Sequence, residues 1–271
     1  MVLTAETQAA TFTWDGGGPG SWKGKKDWTG TSPVNAATSD FIFTGTRNTN
    51  GPNQDFGVTL LCDTIVFDSA AGQFTLDGGQ IQFAGTTAAL MQNSANQQMI
   101  LNALDLNAAT IFGGTGAGPV TLAGVISGAG ALTKSGTSVF VLTATNSLTS
   151  GITISGGQLV LARNIGLTNN TITVNTNGGL VFSNATSFLI GGLAGTSNLT
   201  LTDTAGAAVT LSNGNNNAST TFSGVFSGSG SLVKVGTGTF TLGNNNTYTG
   251  TTLISAGQLV LASNLGLTNS T

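Results

Sequence analysis

Apolar residues recur along this chain as pairs one residue apart. Ile65/Phe67, Phe74/Leu76, Ile81/Phe83, Leu104/Leu106, Val120/Leu122, Phe140/Leu142, Leu159/Leu161, Ile172/Val174, Leu180/Phe182, Val209/Leu211, Phe240/Leu242 and Leu259/Leu261 are examples. An i, i+2 pair puts both side chains on one face of a strand. The residue between is usually Thr, Val, Gln or Ser, which suits an outward position. Clusters such as Asp77-Gly78-Gly79, Gly156-Gly157 and Asn177-Gly178-Gly179 separate the pairs. These residue types accept the positive φ of tight corners. No helical spacing is sustained, and the pattern predicts very short strands joined by sharp corners.

A longer period overlies this rhythm. Residues 124–171 align with residues 224–271 at an offset of 100 without a gap, with 27 identities in 48 positions. Short strands, frequent corners and an imperfect long repeat predict an all-β right-handed parallel β-helix. Each coil would hold three strands and about 20–25 residues. The repeat offset then spans four or five coils. Some 200 residues make roughly nine coils, or a rod of roughly 45 Å. An antiparallel sandwich or propeller would need more hairpin turns than the few Asn-Gly steps supply. The expected division is a Trp/Gly-rich capping segment, residues 1–40, and a parallel β-helix, residues 41–271. The second copy of the repeat stops where the first runs on into Thr171-Ile172-Thr173-Val174, so the last coil is expected to present an open edge.

Composition narrows the function classes. Of 271 residues, 41 are glycine and only 6% are charged, against roughly 25% in an average soluble domain. Nine of the ten acids lie in the first 105 residues, and residues 106–271 carry only Lys134, Arg163, Asp203 and Lys234. The net charge of −3 offers no basic patch, so nucleic acid is not an expected partner. The chain has no histidine, which excludes Ser-His-Asp and His general-base chemistry. Cys62, the single cysteine, forms no intrachain disulfide and reads as a small core residue. Met1–Glu6 has neither a basic nor an apolar leader region, so no signal peptide is expected in this stretch. No apolar run approaches the length of a transmembrane helix.

Candidate chemistry is sparse. Asp63, Asp68 and Asp77 are close in sequence and could share one groove, as glycosidase carboxylates or a Ca²⁺ cluster. The alternative is that they hold corners through backbone N–H groups. Arg47 is the nearest base for lyase chemistry. Lys134 and Lys234 occupy equivalent repeat positions and are expected to face solvent. Trp14, Trp22 and Trp28, with Lys23, Lys25 and Lys26, suit an end cap or a sugar-stacking platform. Thr-x-Thr units are frequent but irregularly spaced, as in ordinary outward strand positions. No catalytic, cofactor-binding or metal-binding residue is assigned, and no enzymatic activity or cofactor is expected.

The second repeat copy resembles the autotransporter-associated β-strand repeat of bacterial autotransporter passenger domains. The residues that carry this are Gly224, Ser227, Gly228, Gly230, Leu232, Lys234, Gly236, Gly238, Thr239, Phe240, Leu242, Asn246, Tyr248 and Gly250, then Gly257-Gln258-Leu259. The first copy departs at Ser138 and Leu148. Thr13-Trp14-Asp15-Gly16-Gly17, with Trp22 and Trp28, is similar to the opening of many such passengers. The resemblance implies a secreted or surface location on a Gram-negative bacterium and a structural or adhesive role. It also implies an outer-membrane translocator barrel in the parent protein, of which this chain shows no strands. Expected partners are a further copy through an open β-helix end, and a surface glycan or host ligand.

Overall fold

The computed structural model describes residues 10–14, 21–24, 28–45, 53–164, 166–263 and 267. Asp15, Gly16, Gly17, Lys25, Lys26 and Arg47 lie outside the described residues. The described chain contains no helix and winds into a parallel β-solenoid of about ten turns. Three faces alternate along each turn. The first is a 13-stranded sheet that runs the length of the molecule. Successive strands in it include Ser39–Phe43, Thr64–Phe67, Ala89–Gln92, Thr110–Gly113, Leu132–Lys134, Ile152–Ile154 and Thr171–Val174. The second face starts as a seven-stranded sheet ending at Leu180–Phe182, and the third as a five-stranded sheet from Leu60–Cys62 to Ser147–Leu148.

The strands form because their i, i+2 apolar pairs stack in register on the coil below. One inward ladder runs Phe41, Ile65, Leu90, Phe112, Lys134, Ile154, Val174, each the Cα partner of the next. Its six apolar members are fully buried. Aromatic rings fill the wider coils, with Phe112 and Phe140 stacked across two faces at 5.1 Å between centroids and 16° between planes. Coil length shortens along the chain. Partners Asp40, Thr64 and Ala89 are 24 and 25 residues apart. Partners Leu132, Ile152 and Ile172 are 20 apart.

One coil breaks this rhythm. Gly195 pairs with Phe222, 27 residues on, because residues 202–208 fold out as a small antiparallel turn. The pairing re-sorts around it. Gly192–Gly195 stays in the long sheet and passes it to Thr220–Phe222. The second face continues as Leu199–Thr200 and Phe226–Ser227, and the third as the four strands from Ser187–Ile190 to Thr252–Ile254. The two copies of the repeat therefore lie on different faces. Leu132–Lys134 belongs to the long first face, whereas its counterpart Ser231–Lys234 lies on the third. Val139–Leu142 lies on the second face and Thr239–Leu242 on the first. The offset is thus four turns and two further faces. Nearly the same sequence tolerates either face because each imposes the same demand: two inward side chains and a corner.

The tryptophans are interior. Trp14 and Trp22 are fully buried and Trp28 is 4% exposed. They pack edge-on and tilted against one another and against Phe41 and Phe43, at centroid distances from 4.9 to 6.4 Å. This overturns the sugar-stacking platform, since no ring face is open to a ligand.

Removing a ring from these ladders should leave a cavity that neighbouring coils cannot close. Phe140→Ala is expected to cost about 3–5 kcal/mol. In a solenoid the loss should stay local. Hydrogen exchange should accelerate in the coils of Thr110–Gly113 and Gln158–Leu161 and change little at Ser39–Phe43.

Candidate functional site

Two charged side chains lie where the sequence pattern predicts solvent, and the structure corrects that expectation. Lys134 and Lys234 have no exposed surface and occupy inward ladder positions. The Lys134 Nζ donates to the carbonyls of Ser135 at 2.5 Å and Gly156 at 3.2 Å and lies 5.4 Å from the Phe140 ring centroid. Lys234 repeats the arrangement with the carbonyls of Val235, Gly236 at 2.9 Å and Ala256 at 3.3 Å. Each ammonium closes a corner and ties it to the coil above. Burial pushes the Lys134 ammonium down to about 8 and lowers that of Lys234 as well. Gly157 and Gly257 complete the two corners. Their φ values are +61° and +68°, and a Cβ there would meet the lysine Nζ at 2.6 and 2.9 Å. The sequence signal was present, since each lysine follows an inward leucine by two residues, but its charge masked the period.

The two departures of the first copy also have physical partners. Ser138 is buried and its Oγ donates to the Gly113 carbonyl at 3.0 Å, whereas a Cβ at Gly238 would press on the Ala218 carbonyl. Tyr248 shares a 2.6 Å hydroxyl bond with Thr252, and the first copy places Leu148 and Ile152 at the two equivalent positions.

The carboxylates do not converge. Asp63 turns the corner into Thr64–Phe67, accepting from the Thr87 amide at 2.9 Å and the Thr87 hydroxyl at 2.5 Å. Asp68 follows that strand, and its Oδ1 accepts from the Ala70 amide. Asp77 lies in Thr75–Gly78 on the second face. Three different stations around the coil separate these groups, so the shared groove is withdrawn. No group of three or more metal-ligating side chains occurs among the described residues.

A groove of about 560 Å³ opens where the 27-residue coil leaves the wall. Its lower lip is Asn177, Gly178, Leu180 and Val181, and its upper lip is Asn198, Thr200, Thr202, Asp203 and Thr204, with Ser227 beyond. The sheet above Leu180–Phe182 is reduced to the single bridge between Phe182 and Asp203. Side chains replace the missing ladder. Asn177 Oδ1 accepts from the Asn198 amide at 2.8 Å, and Asn198 Oδ1 accepts from the Val225 amide at 2.9 Å. Asp203 Oδ1 accepts from the amides of Ala205 and Ala207 and shapes the outward turn. In the sequence Asp203 stands out only as an isolated charge. Its Asp-Thr-Ala-Gly-Ala context was the available signal for a turn.

The passenger-associated-transport-repeat family model matches residues 132–161 and 232–261. These spans start at strands Leu132–Lys134 and Ser231–Lys234 and end at Gln158–Leu161 and Gln258–Leu261. The chain carries the repeats of an autotransporter passenger. It is similar to the adhesin BmaC autotransporter of Brucella suis biovar 1 (strain 1330), 34% identical over 163 residues. That alignment takes in 55% of this chain and 5% of the relative, so the chain spans a small part of that protein's length. No solved structure matches the chain. Each passenger repeat thus delivers one buried lysine corner, and the groove lies between the two copies.

The lysine corners give a signed pH dependence. The unfolded Lys134 keeps an ordinary value of about 10.4, and the folded group sits at about 8. Between these values the unfolded chain binds more protons, so stability rises with pH. Denaturation midpoints should therefore climb from about pH 8 towards pH 10, and Lys134→Met should flatten the climb. Cys62 is fully buried, and burial with the nearby Asp63 and Asp40 charges pushes its thiol well up. Its reaction with a thiol reagent is expected to be slow in the native chain and fast in denaturant.

Proposed function

We propose that this chain is a non-enzymatic segment of a secreted or surface-displayed adhesin on a Gram-negative bacterium, serving as a rigid scaffold that carries adhesive surface outward. The observation that carries the reading is the parallel in-register ladder, with apolar side chains sealed inside and small polar residues outside. Such a rod gains length with every repeat and needs no globular centre. The similarity to a named adhesin autotransporter supports the same role. The test is display of the chain on a heterologous outer-membrane translocator barrel in a non-adherent host. Surface exposure and a gain in attachment to epithelial cells over the barrel alone are expected. Display without any gain in attachment would remove the adhesive part.

A further inference from the structure

We infer that the groove between Leu180–Phe182 and Leu199–Thr200 is a binding site for an uncharged oligosaccharide; this names the ligand class of the adhesive surface and rests on the adhesin reading above. The volume of about 560 Å³ falls within the range of small-ligand sites. The groups facing it are matched to hydroxyls. Asn177 and Asn198 each spend Oδ1 on a backbone amide of the coil above, which fixes both side chains and leaves both Nδ2 donors unspent. They stand one coil apart, about 4.8 Å, on the scale of one sugar ring. Asp203 is oriented in the same way: Oδ1 holds the turn and Oδ2 is left as an acceptor. The Thr200–Ser227 and Thr204–Ser183 hydroxyl pairs can each both donate and accept. Val181, the outward residue of Leu180–Phe182, supplies a small apolar contact for the C–H face of a ring.

Charge selects among glycans. Asp203 is the only charged residue among the described residues of the lining. Lys134 and Lys234 are buried, and Arg163 lies outside the lining. A uronate or sulfate would meet a carboxylate with no compensating cation. An added peptide strand is disfavoured too, because the Asn198 and Val225 amides are already taken by asparagine side chains.

The test is a titration of the ¹⁵N-labelled chain with cellotetraose and with mannotetraose, against tetragalacturonate and tetraglycine, followed by amide chemical shifts. A neutral tetrasaccharide should shift amides confined to Asn177–Val181 and Asn198–Thr204. Thr200→Trp puts a ring into the groove from an exposed position and should abolish the shifts with the rest of the spectrum retained. Asp203→Asn keeps the turn acceptor but replaces Oδ2 with a donor, and should weaken binding about five- to tenfold. Stronger shifts with the acidic glycan or the peptide, shifts indifferent to Thr200→Trp, or no shifts with either neutral glycan would overturn the inference. If the displayed chain still promotes attachment in that event, the adhesin reading survives without this site. Groove-confined shifts from a chain that gives no attachment would mean the reverse.

Discussion

Every feature of this molecule depends on one constraint: each coil is completed only by the next. The backbone N–H and C=O groups of a strand pair upward and downward, and inward side chains are covered by the same positions one turn away. Partners such as Leu132, Ile152 and Ile172 must therefore hold their register, or a whole row of side chains changes face. Strands stay short because three of them and their corners share about 20 residues. Glycine is frequent because corner backbones of successive coils nearly touch. At Gly136, for example, an added Cβ would lie 2.2 Å from the Gly114 carbonyl oxygen.

That constraint explains what was legible in the sequence. The i, i+2 apolar pairs, the corner clusters and the 100-residue offset are direct imprints of stacking, and they gave the all-β parallel architecture. The passenger repeats were legible for the same reason, since their spacing is the spacing of inward positions. The lysines were misplaced because a charge in an inward position contradicts the pattern unless its partners are known. Those partners are backbone carbonyls, at Ser135 and Gly156 for Lys134, which no side-chain motif announces. The carboxylates failed differently. Asp63, Asp68 and Asp77 are neighbours in sequence, but a coil of 24 or 25 residues separates neighbours around its circumference and brings together residues one full turn apart.

A buried lysine is an unusual choice for such an interior, and its geometry accounts for it. Corners leave carbonyl oxygens pointing inward without strand partners, and an unpaired buried carbonyl costs stability. One ammonium reaches several carbonyls at once, while its four-carbon stem fills ladder space as an aliphatic side chain would. The desolvation that depresses Lys134 to about 8 is the cost of that arrangement. Asparagine performs a lighter version elsewhere. Asn146 and Asn246 each accept from an amide one coil below, at Ile126 and Phe226, and donate to the carbonyl two residues back.

The groove follows from the same logic, because a solenoid wall opens only where a coil cannot match its neighbour. The turn held by Asp203 lengthens one coil to 27 residues, and the ladder above Leu180–Phe182 gives way to asparagine side chains. Those side chains satisfy the backbone with one oxygen each and turn their remaining donors outward. In the same turns the repeat sequence shifts by two faces, so strands that continued the second sheet in the first copy continue the long sheet in the second. A perfect repeat would have carried an unbroken wall with no recess. The irregular stretch between the copies therefore gives the wall a recess with a lining and a charge of its own, and the proposed recognition follows from that break in the repeat rather than from the repeats themselves.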